Sequence, residues 1–273
     1  MKTLRLLALL LSSFIVLACR GESKELRIGV APGPYGDIVT KAIQPSLERQ
    51  GYRVKLVTFQ DWVQPNLALD NKEIDLNIFQ NVPYLEKFAK DRKLKLKSGI
   101  RIPTAGLGLY SSRIKAVGDL KPGDEVTLPL DVVNLARSLR FLQKQGIITF
   151  RSGADPAKVS EKDIDGNSYG LRFVPTEAAQ LPRTLGTVAL AVIPGNYAMA
   201  SGLHLSDALA LEELSEELKV GVAIRTEDEN AVWLKSLVEA IESEEFHRVI
   251  ERKENGFSSF QKPEWYRTKW GST

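Results

Sequence analysis

The feature that most constrains the fold is the alternation of strand-like and helix-like segments from Glu25 onward. Apolar runs such as Leu26–Val30 and Val188–Ile193 are typical of buried strands, whereas the amphipathic run Val132–Gln145 is typical of a helix. Strands that alternate with helices build βαβ units around a mainly parallel sheet. At 273 residues, the chain is long enough for one large or two modest α/β domains, each with its own core.

The stretch Phe59–Leu85 combines aromatic and amide side chains with a strand-like pattern. Within it, Ile74–Phe79 is an apolar run that predicts a buried strand. The side chains at and just beyond the end of this strand are Phe79, Gln80, Asn81 and Tyr84. Open α/β sheets bind ligands at the carboxyl ends of their strands, so this stretch is expected to form one wall of a small-molecule site. The alternative is that these side chains serve only as packing and turn groups.

A second strand ends in the same way. The apolar run Val188–Ile193 leads into Pro194–Tyr197, which again places an amide and an aromatic ring after a buried strand. Asn196 offers a carbonyl oxygen that can accept from an ammonium group and an amide that can donate to a carboxylate. Alternatively, an Asn that follows Pro and Gly is only a turn residue or a helix cap.

Arg137 is the strongest candidate for an anion-binding group. It lies near the start of the helix Val132–Gln145, beside Asp131 and Asn134. A guanidinium can hold a carboxylate with two hydrogen bonds, and the helix amino terminus adds a field that favours anions. The alternative is a solvated helical arginine, which describes most arginines in proteins.

The first residues are expected to be a targeting segment and no part of the fold. Lys2 and Arg5 precede the apolar run Leu6–Ala18, which is too short for a comfortable transmembrane helix but suits a secretory signal, residues 1–18. Val16–Cys19 resembles a bacterial lipobox, whose cysteine receives lipid. Residues 19–24 would then be a lipidated tether that holds the protein to a membrane of the cell envelope, facing the periplasm or the exterior. The alternative is an ordinary signal peptide with an incidental cysteine.

Several function classes lack support in the sequence. The net charge of +3 comes without a long basic block, so nucleic acid is not an expected partner. His204 and His247, the two histidines, lie in no catalytic or metal-binding pattern. The run Asp163–Asn167 begins like a calcium loop but lacks its glycine and its closing glutamate, and no metal or cofactor is expected. From the residues alone, a solute-binding protein comes first. An exported α/β enzyme with an unrecognised carboxylate or hydroxyl site comes second, and a surface interaction protein third.

Five segments, in order along the chain, resemble the NlpA family of lipoproteins. They are Gly29–Pro34, Asp61–Asn66, Phe79–Leu85, Glu177–Arg183 and Ile193–Ala198. The resemblance covers residues from Leu26 to about Tyr266 and follows the lipobox. It implies a periplasmic-binding-protein fold of type II-like α/β architecture, with two lobes and a ligand cleft between them. The expected first lobe is 25–110 with 197–273, and the second is 111–196. The chain would cross between them near Leu107–Tyr110 and again near Tyr197–Leu205.

The resemblance also implies a function without bond chemistry. Such a protein captures a free amino acid, with methionine as the leading expectation, and delivers it to an ABC permease and its ATPase. Arg137 would hold the ligand carboxylate, and Asn196 and Glu177 the ammonium end. The side chains expected around the apolar part of the ligand are Tyr35, Trp62, Phe79 and Tyr84, with Asn81 and Asn134 among the nearby polar groups. Glu177 has an alternative role as the cap of the helix that begins there.

Three positions depart from the pattern of the family. Asn81 stands where the family usually has histidine, Leu130 stands where it has asparagine, and Val220 lies where an asparagine often begins the late strand. These departures leave Arg137 and Asn196 in place but alter the polar groups around them. Another small apolar amino acid therefore stays open as the ligand.

Overall fold

The computed structural model describes residues 24–271 and contains two five-stranded sheets. The strands of the first sheet, in spatial order, are β2 (Tyr52–Thr58), β1 (Lys24–Val30), β3 (Leu76–Gln80), β12 (Gly221–Arg225) and β4 (Leu96–Arg101). Those of the second are β11 (Ala210–Leu211), β5 (Leu107–Tyr110), β10 (Leu190–Pro194), β6 (Glu125–Pro129) and β9 (Arg172–Thr176). A separate short pair joins β7 (Thr149–Phe150) to β8 (Ile164–Gly166).

Helices connect the strands and cover the sheets. In chain order they are α1 (Pro34–Ile38), α2 (Gln44–Arg49), α3 (Gln64–Asp70), α4 (Val82–Arg92), α5 (Val132–Lys144), α6 (Gly195–Ala200), α7 (Val232–Ile241), α8 (Glu244–Glu251) and α9 (Glu264–Trp270). A π-helical turn, Val39–Ile43, joins α1 to α2 without a break. The largest 3₁₀ segment is Ala178–Gly186.

Each five-stranded sheet has two parallel and two antiparallel strand pairs, so the expected mainly parallel pairing is found in only half of each sheet. β1 pairs in parallel with β2 and β3, and β6 pairs in parallel with β9 and β10. The strands next to the crossings between lobes run antiparallel to their neighbours, as β12 does between β3 and β4. Each sheet has its own buried apolar cluster, so each lobe has a separate core. The predicted two-lobed α/β fold is confirmed.

The observed strand pairing places both boundaries between the lobes at residues other than the expected ones. β5 pairs with β10 and β11, so Leu107–Tyr110 belongs to the second sheet and not to the end of the first lobe. The chain therefore crosses first at residues 102–106, between β4 and β5, and again at residues 212–220, between β11 and β12. Both boundaries differ from the expected 25–110, 111–196 and 197–273. Apolar strands of either sheet have the same local pattern, so only their partners assign them.

Within residues 24–271, no helix is long and apolar enough to cross a membrane. The expected signal segment 1–18 and the proposed lipidation residue Cys19 lie outside the described residues.

Candidate functional site

A cavity lies between the two lobes, beside the ends of β3 and β10, with about 420 Å³ of empty space that is partly open to solvent. Most of the predicted ligand-binding residues line it: Tyr35, Trp62, Phe79, Asn81, Tyr84, Asn134, Arg137 and Asn196. Glu177 does not, because it is exposed at the end of the edge strand β9. It occupies the N-cap position of the 3₁₀ segment Ala178–Gly186, but its side chain makes no capping hydrogen bond. Contrary to the expectation, Glu177 is therefore not placed to hold the ammonium end of the ligand.

Aromatic rings of the first lobe form one wall of the cavity, and a ring from the second lobe packs against them. The ring centroids of Trp62 and Tyr84 are 5.9 Å apart, and those of Phe79 and Tyr84 are 6.3 Å apart, both in edge arrangements. Tyr197 from α6 packs against Trp62 at 5.2 Å. The Tyr84 hydroxyl donates to the backbone oxygen of Trp62 at 3.2 Å. Because burial raises the pKa of Tyr84 and of Tyr197, both phenols stay neutral and the wall carries no charge.

Side-chain amides lie behind this wall. Asn77 and Gln80 are polar residues within the fully buried strand β3, and both hydrogen bond to Asn66 of α3. Gln80 also donates to Asn77 at 2.8 Å, which leaves Gln80 fixed at the edge of the cavity. Polar residues in an otherwise apolar strand were the sequence signal for this network, since buried amides need partners.

Asn81 caps α4 at the mouth of the cavity. Its side-chain oxygen accepts from the backbone N–H of Tyr84 at 2.9 Å, the usual interaction of an N-cap residue. This contact occupies the oxygen and leaves the amide N–H groups of Asn81 as donors toward the cavity, which it lines.

Arg137 is buried and already holds a carboxylate of its own chain. Its Nε lies 2.9 Å from Oε1 of Glu212, and a terminal nitrogen lies 2.5 Å from Oε2. The other terminal nitrogen donates to the side-chain oxygen of Asn134 at 3.3 Å. The side chains of Arg137 and Glu212 are 9% and 8% exposed, so this ion pair is largely shielded from solvent. Sequence reasoning missed Glu212, which follows a two-residue strand and carries no motif.

Asp131 caps the helix that carries Arg137. It accepts from the backbone N–H of Asn134 at 3.0 Å and from the amide of the same residue at 3.1 Å. Burial raises the pKa of the Asp131 carboxyl, while the hydrogen bonds from Asn134 and the charge of Arg137 oppose that shift. The cap fixes the first turn of α5, and with it the position of Arg137.

Asn196 joins the two lobes. Its amide donates to the backbone oxygen of Pro32, in the loop after β1, at 3.0 Å. No residue in the described part of the chain donates to its side-chain oxygen, which remains available as an acceptor. Asn196 is 6% exposed and lines the cavity. The side chain of Asn196 caps no helix, so Asn196 is not the plain turn or cap residue of the alternative interpretation.

The crossing segments complete the lining. Thr104, Ala105 and Gly106 come from the first crossing, and Leu218 and Val220 come from the second. Tyr35 packs against them. Burial raises the pKa of its phenol, and hydrogen bonds with Ala105 and Thr104 oppose the shift. Among residues 24–271, no three His, Cys, Asp or Glu side chains are placed to hold a metal ion.

Known proteins match this chain over most of its length. The sequence profile described as NlpA lipoprotein matches residues 26–265. A D-methionine-binding lipoprotein MetQ of Salmonella typhi is 35% identical over 261 residues, which are 93% of this chain and 96% of that protein. The structure of a nutrient binding protein from Burkholderia cenocepacia bound to methionine superposes with a TM-score of 0.80 at 35% identity, over 86% of this chain and 97% of that one. An ABC transporter periplasmic substrate-binding protein from Coxiella burnetii gives a TM-score of 0.81 at 34% identity, over 87% and 99%.

Proposed function

Because the chain belongs to the NlpA lipoprotein family, as its motifs predicted, we propose that it captures a free amino acid outside the cytoplasm for an ABC importer. Methionine is the first candidate ligand. The observation that carries the proposal is the polarity of the cavity, with one buried guanidinium on one side and an uncharged aromatic wall on the other. A free amino acid with an apolar side chain matches this arrangement, because its charged groups are at one end and its apolar side chain is at the other.

Arg137 is the proposed partner of the ligand carboxylate. A guanidinium has five N–H groups in a fixed plane. Glu212 engages Nε and one terminal nitrogen, and Asn134 engages the other. Among the described residues 24–271, no other group accepts from the terminal nitrogens, so one N–H on each is left, and this pair matches the two oxygens of a carboxylate.

Neutral acceptors serve the ammonium group. No Asp or Glu is among the residues that line the cavity within the described part of the chain. The side-chain oxygen of Asn196 is the best placed acceptor, since its amide is already held by Pro32. Val220 supplies an apolar surface where the family often has asparagine. Because this changes the polar groups around the ligand, an apolar amino acid other than methionine is the second candidate ligand.

The ligand side chain would lie against Tyr35, Trp62, Phe79 and Tyr84. A methionine thioether is flexible and makes favourable contacts with aromatic rings, so this wall suits it. The relatives support the same assignment, because one is named a D-methionine-binding lipoprotein and another has a structure bound to methionine. These relatives are named binding proteins, and we infer that this chain likewise performs no bond chemistry.

The proposed setting is the cell envelope. Lipid on Cys19 would anchor the protein to a membrane, and a permease with its ATPase would receive the ligand. The name of the Coxiella relative supports an importer of the ABC type. The two lobes would close over the ligand by bending at the crossings, residues 102–106 and 212–220, as in other proteins that trap solutes.

Mass spectrometry of small molecules released when the purified protein is denatured tests this function most directly. We expect methionine or another apolar amino acid in about equal molar amount with the protein. Calorimetric titration of the stripped protein should then give one binding event without turnover of the ligand. Consumption of the ligand would instead favour an exported enzyme, and a protein that binds no amino acid would remove the proposal.

A further inference from the structure

We propose that Glu212 is a positioning residue of the ligand site, which holds the Arg137 guanidinium so that its two remaining N–H groups face the ligand carboxylate. The inference rests on the proposed function. It adds a residue that does not line the cavity and a reason why Arg137 points where it does.

Glu212 lies where the two lobes are joined. It is the first residue of the second crossing, immediately after β11. Its backbone N–H donates to the oxygen of Leu107, the first residue after the first crossing, at 2.8 Å. Its backbone oxygen accepts from Gln261 at 2.7 Å, and Gln261 in turn pairs with Thr104 of the first crossing. The main chain of Glu212, which begins the second crossing, is therefore held by Leu107 and Gln261 and is linked through Gln261 to the first crossing.

Three donors converge on the Glu212 carboxylate. Nε of Arg137 lies 2.9 Å from one oxygen, and a terminal nitrogen of Arg137 lies 2.5 Å from the other. The backbone N–H of Leu107 donates to that second oxygen at 3.0 Å. Since every neighbour is a donor, a glutamine at this position would have to turn its own NH₂ group toward one of them. The site therefore requires a carboxylate and not merely a polar side chain.

This arrangement holds the guanidinium from its side. Nε and one terminal nitrogen face Glu212, and Asn134 takes the other terminal nitrogen. The outer edge of the guanidinium plane, with one free N–H on each terminal nitrogen, is left for the cavity that Arg137 lines. A group fixed in this way before the ligand arrives loses little freedom on binding, which improves affinity.

Glu212 also balances the charge of the site. The Arg137 cation would otherwise be nearly buried alone, which is costly, and it would repel the ammonium group of the ligand. With Glu212 the pair is neutral overall. A neutral pair fits a zwitterion, which also carries no net charge, so the pair favours free amino acids over ligands with a net charge.

The test compares Glu212→Gln with the wild-type protein by calorimetric titration with L-methionine. We expect Glu212→Gln to weaken binding about tenfold or more, the scale of effect seen when a group that orients a metal-ligating side chain is removed. Glu213→Gln is the matched control. Glu213 is the next residue, it pairs with Lys144, and its side chain is 82% exposed, so its loss should leave affinity unchanged.

A second readout is the NMR signal of the Arg137 Nε–H group in the ligand-free protein. We expect this proton to exchange slowly in the wild type and rapidly in Glu212→Gln, while the backbone amides of both lobes keep their protection. A purely structural role would not change this single proton alone. If Glu212→Gln does not fold, Glu212→Asp replaces it, since it keeps the charge but has a shorter reach, and weaker binding with faster Nε–H exchange is again expected.

Unchanged affinity in a folded Glu212 variant would overturn the proposal, and so would tighter binding, which would show that Glu212 competes with the ligand for Arg137. A wild-type protein that does not bind methionine would count against the proposed function. The exchange of the Arg137 proton would still decide the role of Glu212 in that case, because it is measured without ligand.

Discussion

The side-chain amide of Asn196 donates to the backbone oxygen of Pro32 at 3.0 Å, and this hydrogen bond joins the second lobe to the first across the cavity. Gly33, the next residue, has φ +123°, a conformation that side chains rarely adopt. A Cβ at Gly33 would lie 2.5 Å from the backbone oxygen of Asn196. This close approach of the two lobes therefore needs glycine at this position.

Gly33→Ala should weaken ligand binding by about tenfold to a hundredfold. The new methyl group would clash with Asn196 of the other lobe and so oppose the approach of the lobes around the ligand. Local strain of this kind costs on the order of 1 to 3 kcal/mol, and each 1.4 kcal/mol or so is a factor of ten in affinity. Calorimetric titration with methionine measures the loss. Gly36→Ala, in the adjoining helix α1, is the control, because its Cβ would meet Leu56 at an ordinary 3.4 Å and its φ is not positive. Equal affinities for both variants would contradict the contact between Gly33 and Asn196.

Ligand should also make the molecule more compact. If the lobes bend at residues 102–106 and 212–220, the radius of gyration from small-angle scattering should fall when saturating methionine is added. The change should be smaller in Gly33→Ala, since its new methyl group hinders the close approach to Asn196. Identical scattering with and without ligand would argue against lobe closure.

Arg137→Ala should weaken binding more than any other single substitution in the cavity. A buried charge left without its partner typically costs about 3 to 5 kcal/mol, which is about two to four powers of ten in affinity. Arg137→Lys should recover only part of the loss, because an ammonium cannot pair with Glu212 and with a carboxylate in the geometry of a guanidinium. Titration of both variants with the ligand recovered from native protein measures these differences.

The control for Arg137 is Arg140→Ala on the same helix. Arg140 is partly exposed, donates to the backbone oxygen of Pro156, and does not line the cavity, so affinity should change little. Thermal unfolding of each variant without ligand shows whether it folds, since Arg137→Ala leaves Glu212 unpaired. A folded Arg137→Ala protein with near-normal affinity would show that Arg137 does not hold the ligand carboxylate.

Asp131→Asn should raise the free energy of unfolding at neutral pH. Burial raises the pKa of Asp131 in the folded state above its ordinary value, so the folded state binds more protons than the unfolded state in the window above that value. Stability contributed by this group therefore falls as pH rises through that window. Asn caps helices as well as Asp does, so the variant keeps the cap and loses the buried charge. The gain should vanish at acidic pH.

Urea unfolding at about pH 3.5 and about pH 7, on either side of the window, measures the effect. Asp163→Asn is a control of opposite sign. Hydrogen bonds from Ser160 and Arg151 lower the pKa of Asp163, so its substitution should reduce stability at neutral pH and matter less in acid. A loss of stability in Asp131→Asn at neutral pH would show that its charge is needed.

Cys19→Ala should release the protein from membranes while leaving it exported, or should leave it held by an uncleaved signal. The reason is that the thiol of Cys19 is the proposed site of lipid attachment. Detergent-phase partitioning and fractionation measure the outcome. Normal signal removal together with unchanged partitioning would exclude lipid at this residue.

The sequence determined the elements and much of the cavity. Periodicity and capping act within a few residues, so the expected helix Val132–Gln145 agrees with the observed Val132–Lys144, and the strand Leu26–Val30 with Lys24–Val30. Placing aromatic and amide groups after apolar strands was also a local inference. It correctly predicted that Phe79, Asn81 and Tyr84 line the same cavity as Asn196.

Only the tertiary structure decided which strands share a sheet and which charges meet. β5 and β11 belong to the second sheet because of partners far away in the chain, and their own apolar residues would suit either sheet. Glu212 lies 75 residues from Arg137, so no local pattern links the two. Glu177 matched a family motif, yet it is exposed because the strand before it is the edge of its sheet. Local patterns fix conformation, whereas burial and ion pairing depend on contacts that form only when distant segments pack together.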